Sequence, residues 1–190
     1  MKQLLFILLI IIGFSSASFA NFYVDLMGAM VAADDADKQT GFGLGFGYAL
    51  NQEIDLYLRG TYTMSTAHAN SPNEINYDHI TAMVGAVYIP NLSFLDRFRL
   101  SWKNAVLIGY SRTEVDEKLI SGDIVCQGFA FAFLTGLQYS ITQMVSPFFD
   151  IGYHKSFYNG QANELSVHGF QFDLGVRFYI GHSRKYDTGY

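Results

Sequence analysis

The chain has 190 residues, half of them hydrophobic and 16% aromatic, with a net charge of −5. Only 15% are charged, against about 25% in an ordinary soluble domain. The acidic balance leaves no basic surface for nucleic acid, and eighteen glycines against three prolines, without a fixed period, exclude a collagen-like chain.

The chain opens on MKQLLFILLIIIGFSSASFA. Lys2 is a short positive region, Leu4 to Phe14 an apolar run, and Ser18-Phe19-Ala20 a small-x-small cleavage pattern. The run is shorter than the roughly 20 residues a spanning helix needs. Residues 1–20 are predicted to be a removed export signal, and losing Lys2 takes the charge to −6. The single cysteine, Cys126, cannot build an internal disulfide framework and reads as a plain strand residue.

From Phe22 onward the pattern has period two. Strands are predicted to begin at Phe22, Gly41, Ile54, Tyr77, Arg99, Cys126, Ser146 and His168. Each is about ten residues or longer, which suits a tilted membrane strand of about 9–11 residues better than the 5–6 usual in soluble proteins. The connections alternate. Regions 33–40, 66–76, 112–123 and 158–166 are long and polar, whereas NQE around Asn51 and ITQM around Thr142 are tight. PNLSFLDRF from Pro90 is longer and half apolar, and fits that alternation less well. Long loops at one end and short turns at the other are the layout of an outer-membrane barrel. No internal domain boundary interrupts residues 21–181, and residues 182–190 form a tail.

Alternate residues of a strand point to opposite faces. In HGFQFDLGVRFYIG, Phe170, Phe172, Leu174, Val176, Phe178 and Ile180 share one face, opposite Asp173 and Arg177. A soluble barrel would turn the greasy face inward. The export signal, the strand length and aromatics near both strand ends favour the reverse: the apolar face in lipid and the polar face in a narrow lumen. Trp102, Tyr48, Tyr88, Tyr139 and Tyr179 are assigned to the short-turn belt, and Tyr62, Tyr110, Tyr153 and Tyr158 to the long-loop belt. The lumen is predicted to hold Asp25, Asp55, Arg59, Lys103, Asp150, His154, Asp173 and Arg177. Buried charges must pair. The first and last strands close the barrel, so Asp25 is expected to meet Arg177, and Arg59 one of Asp55, Asp150 and Asp173.

With strands so placed, GFGYALNQEIDLYLRGTY and GLQYSITQMVSPFFDIGYHK each show a turn inside a glycine-aromatic strand pair, and FDLGVRFYI looks like a closing strand. The chain resembles the small eight-stranded outer-membrane proteins: the OmpA transmembrane domain, OmpX and the opacity-like surface proteins. The resemblance implies an all-β, eight-stranded, antiparallel up-and-down transmembrane barrel over residues 21–181. Such barrels usually end on a terminal aromatic of the last strand, whereas here HSRKYDTGY follows Gly181. With the barrel over residues 21–181, none of these 190 residues is expected to form the periplasmic peptidoglycan-binding domain of full-length OmpA proteins.

His154 and Ser156, with Glu164 downstream, resemble the site of the outer-membrane lipid A deacylases. The logic would be a serine activated by histidine and oriented by a carboxylate. The parity of both residues points them at the lumen, where a lipid-cleaving site should not be. DDADKQTG from Asp34 lacks the glutamate a calcium loop needs at its twelfth position, where Phe46 stands when the loop is counted from Asp35 and Gly45 when it is counted from Asp34. GFGLGFG has no following helix, so a dinucleotide fingerprint fails. His68, His79, His154 and His168 all fall near the long-loop end without sharing a face, so no metal or cofactor is expected.

The expected function is a monomeric, non-enzymatic barrel of the Gram-negative outer membrane, contacting lipid, lipopolysaccharide and a host or neighbouring-cell surface through its long loops. A narrow channel for ions or small apolar solutes is the alternative, and a lipid A hydrolase the lesser one.

Overall fold

The computed structural model describes residues 22–33, 38–67, 74–117, 124–158 and 167–180. In chain order the elements are β1 (Phe22–Ala33), β2 (Gln39–Ala49), β3 (Ile54–Ala67), β4 (Ile75–Tyr88), a one-turn helix α1 (Ser93–Asp96), β5 (Leu100–Glu117), β6 (Ile124–Tyr139), β7 (Val145–Tyr158) and β8 (His168–Ile180). The eight strands close into one antiparallel barrel in sequence order. Closure pairs β1 with β8, Phe22 opposite Ile180, so neither strand is left with an open edge. Hydrocarbon cannot satisfy unpaired backbone groups, which makes closure obligatory for a chain of this surface.

The predicted export signal, the tail at 182–190 and most of the four long connections lie outside the described residues. The strands are longer than the sequence pattern implied: β5 reaches Glu117 and β6 begins at Ile124, so the pairing climbs into residues assigned to loops. The PNLSFLDRF segment contains α1, and the chain enters β5 through Arg99 at φ 55°. The two tight turns share one device. Asn51 Oδ1 accepts from the N–H groups of Glu53 and Ile54, and Thr142 Oγ1 from those of Met144 and Val145.

The stagger follows from register. Phe22 pairs with Tyr48, then Leu56, Ala86, Val106, Phe133, Tyr153, Phe170 and back to Ala32. The circuit returns ten residues higher on β1, which for eight strands corresponds to a tilt of about 40°. The offset is even, so the circuit stays on one face. That face is apolar: Phe42, Leu58, Val106, Phe133, Phe170 and Leu174 are all exposed.

Strand β2 explains its own glycines. Gly45 and Gly47 face inward, where a methyl group on Gly45 would lie 2.1 Å from the Tyr57 hydroxyl and one on Gly47 1.8 Å from the Tyr23 ring. The alternation in GFGLGFG makes room inside for two tyrosines.

Two belt assignments are corrected. Tyr158 is buried and its hydroxyl meets Thr113 inside the barrel. Tyr179 packs against Tyr23 and accepts from Gln138 Nε2. Both have the parity of lumen residues, Tyr158 with His154 and Tyr179 with Arg177, and parity overrides proximity to a strand end. Trp102, Tyr88, Tyr139 and Tyr110 are exposed on the outer surface.

Cys126 is buried in a small cluster with Val31, Tyr158 and Val167. It should resist a maleimide reagent in the folded barrel and react after boiling in detergent. Equal labelling of the two states would contradict its placement.

Candidate functional site in the barrel lumen

The lumen has two tiers. Asp25, Asp55, Lys103 and Arg177 lie within three positions of the short-turn ends of β1, β3, β5 and β8, while Arg59, Asp150 and Asp173 project just above them. All seven are buried. Apart from Lys103 on β5, the buried charge sits on β1, β3, β7 and β8 and faces an otherwise mostly apolar wall from β4 to β6, which includes Met83, Val87, Leu107, Ala130, Ala132 and Leu134.

Every ion pair of this tier joins residues distant in sequence. Arg177 donates from Nε and Nη2 to the two carboxylate oxygens of Asp25, both at 2.8 Å. Its guanidinium lies 3.7 Å from the centre of the Tyr23 ring, and Tyr57 donates to Asp25 at 2.8 Å. Of the three carboxylates considered for Arg59, Asp173 holds it, through two bonds of 2.6 and 2.8 Å. Gln171 adds a further donor to Asp173 at 3.0 Å. Lys103 pairs with Asp150 at 2.9 Å and lies 3.7 Å from the centre of the Phe148 ring. Two forked arginine–carboxylate pairs with extra donors are the geometry that best offsets the cost of burying charge. Asp55 is buried beside this network.

The upper tier is polar and mostly uncharged. His79 Nδ1 bonds Thr113 Oγ1 at 2.7 Å, and Thr113 bonds the Tyr158 hydroxyl at 2.6 Å. His154 Nε2 lies 2.9 Å from Ser156 Oγ. The His79 and His154 rings meet edge to face at 5.5 Å. These two histidines share the lumen face, whereas His168 points outward and His68 lies outside the described residues, so the set does not gather on one face. Among the described residues no group of three or more histidine, cysteine, aspartate or glutamate side chains could hold a metal ion.

His154 and Ser156 have the spacing of a serine–histidine relay, but both are enclosed in the lumen and Ser156 has no exposed surface. An acyl chain on the outside of the barrel cannot reach that hydroxyl. Glu164, the third member of the arrangement, lies outside the described residues.

Sequence reasoning missed Tyr23 and Tyr57 as partners of the charges, and His79 as the neighbour of His154. The paired inward glycines of β2 were the available signal for the tyrosines. The histidine contact depends on the ten-residue stagger, which no local pattern encodes.

An apolar belt outside, a closed hydrogen-bonded cylinder, and ion pairs sealed within define a membrane-spanning β-barrel. The chain belongs to the outer membrane protein beta-barrel domain family, which matches residues 4–178. Its fold is similar to that of the Neisserial surface protein A, at 18% identity and a TM-score of 0.61, covering 85% of this chain and 97% of that one. It is also similar to OprG from Pseudomonas aeruginosa, at 15% identity and 0.59, covering 84% and 95%. Ail, the attachment invasion locus protein of Yersinia pestis, matches at 16% identity and 0.51, covering 83% and 97%. No curated protein sequence matches the chain.

Proposed function

We propose that the chain is a monomeric, non-enzymatic outer-membrane barrel, exported by residues 1–20, that supports envelope integrity and makes surface contacts through its four long connections. The observation that carries this reading is the lower tier of the lumen. Three buried ion pairs and the rings of Tyr23, Tyr57 and Phe148 fill the cylinder where a pore would need space. A filled lumen leaves the outer ends as the part free to meet a ligand. Ail, of the same fold, is named for attachment and invasion and has been seen in complex with the heparin analogue sucrose octasulfate. Deleting the connections at 33–40, 66–76, 112–123 and 158–166 one at a time should leave the barrel folded and abolish adhesion in at least one variant. Unchanged adhesion in all four would reject surface contact.

A narrow passage is the second reading. It is favoured by upper-tier polar atoms such as His79 Nε2, Gln39 Nε2 and Gln171 Oε1, which are buried without a hydrogen-bond partner. Planar-bilayer recordings separate the two. The filled barrel should give no reproducible conductance steps, whereas steady unitary currents would establish a channel. Mass spectra of lipid A from cells carrying the native protein or Ser156→Ala are expected to be identical; a deacylated product lost in the variant would establish a hydrolase.

A further inference from the structure

We propose that His79 and His154 form an acid-operated latch at the outer end of the lumen: neutral, they hold Tyr158 in place and keep Cys126 covered, and a proton on either releases that end while the ion-paired tier beneath stays shut. The two rings come from β4 and β7, strands that do not pair, and meet edge to face across the lumen at 5.5 Å. Both are buried, and each is tied to the outermost polar side chains. His79 Nδ1 lies 2.7 Å from Thr113 Oγ1 and 3.3 Å from the Tyr158 hydroxyl, and those two oxygens are 2.6 Å apart. His154 Nε2 lies 2.9 Å from Ser156 Oγ, two positions before Tyr158 on β7. Tyr158 in turn packs with Cys126, Val31 and Val167 in one buried cluster. Contact therefore runs unbroken from His154 through His79 and Tyr158 to the thiol.

A proton on this pair meets no spare counter-charge among the described residues. Inside the barrel, Asp173 of β8 is taken by Arg59 of β3, Asp150 of β7 by Lys103 of β5, and Asp25 of β1 by Arg177 of β8. Asp55 of β3 stands near the short-turn end, and β2 and β6 carry no charged side chain. Asp78 on β4, Arg112, Glu114 and Asp116 on β5, Lys155 on β7 and His168 on β8 have the opposite parity and stand outside. The other titratable groups at this level are the Tyr158 phenol and the Cys126 thiol, both neutral in acid. His79 Nε2 is buried without a partner, and an imidazolium carries a proton on both nitrogens, so charging the ring leaves a donor unmet.

A buried charge with no counter-charge is costly, and two cations on touching rings repel. Protonation therefore favours an arrangement in which the rings reach water. Each ring that is neutral when the latch is closed and free to take a proton when it is open makes opening about tenfold easier per pH unit below about 6.5. Opening thus grows as pH falls, and more steeply with two rings than with one. The lower tier holds no imidazole, and its arginines stay charged throughout. This goes beyond the surface-contact reading and is independent of it, because the latch lies inside the barrel.

Cys126 reports the state of the latch. Its reaction with dithiodipyridine, a disulfide reagent that captures thiols in acid as well as at neutral pH, is timed for the barrel in lipid vesicles and for the unfolded chain at the same pH. The ratio of the two rates is its protection. In the native protein protection should fall at least about tenfold between about pH 7.5 and about pH 4.5, with gel migration before boiling still that of the folded barrel. His79→Gln/His154→Gln should make protection independent of pH, and each single variant should make the fall shallower. His168→Gln, on the outward face, should behave as the native protein does. Constant protection in the native protein would overturn the latch. So would an equal fall in the double variant, which would assign the acid response to the carboxylates below, or loss of folded migration at the lower pH, which would make the event global unfolding. If the double variant does not fold, the single variants decide, and an undiminished fall in both would overturn the latch as well.

Discussion

Replacing Arg177 with methionine should lower the barrel's unfolding free energy by about 3–5 kcal/mol, the usual cost of removing one partner of a buried ion pair. The arginine is 1% exposed and forks onto Asp25, which has no exposed surface of its own. Its loss leaves a carboxylate in a closed lumen with only the Tyr57 hydroxyl as a described donor, and strips the cation from the face of Tyr23. The seam between β1 and β8 suffers most, because Asp25 and Arg177 are directly opposed in its register. The double variant Asp25→Leu/Arg177→Met should recover most of the loss, since an apolar replacement of a whole buried pair is often neutral. Urea unfolding from lipid vesicles, followed by the fluorescence of Trp102, the only tryptophan, reads both effects. If the single and double variants unfold alike, the charges do not act as a pair.

The second large effect is expected at Gly47. An alanine methyl there would lie 1.8 Å from the Tyr23 ring, so the ring must swing away. That movement breaks its stacking with Tyr57 at 6.0 Å and its contact with the Arg177 guanidinium. Overpacking of this kind costs about 1–3 kcal/mol. Tyr23→Ala should rescue part of it in the double variant, because the two changes act on one volume and cannot be additive. Strict additivity in the same urea titrations would show that the glycine serves the backbone of β2 instead.

Period-two alternation carried most of the architecture. It separates Phe170, Leu174 and Phe178 from Asp173 and Arg177 without reference to any other strand, and tight turns at Asn51 and Thr142 fix which strand ends lie together. The meeting of Asp25 with Arg177 was legible because closure joins the first and last strands and their positions along those strands match. Lateral contacts were harder. His79 and His154 lie 75 positions apart on strands that do not pair, and they meet only because stagger brings different register positions to one height. Tyr158 and Tyr179 went astray because nearness to a strand end was weighed above parity. Strand ends were underestimated for a related reason: polar residues such as Thr113, Glu114 and Asp116 read as loop, yet a strand rising out of the apolar band can carry them and stay paired.

Adjacent phenylalanines give the most direct measurement of which face meets lipid. Phe148 is 3% exposed and lies inside against Lys103, while Phe149 is 46% exposed on the outside. With Trp102 changed to phenylalanine, single variants Phe148→Trp and Phe149→Trp would be refolded into vesicles of bromine-labelled phospholipid. The Phe149→Trp protein should lose most of its fluorescence to the bromines and the Phe148→Trp protein little. Equal quenching of the two, or stronger quenching at position 148, would contradict the sealed charged lumen and the lipid-facing aromatic surface.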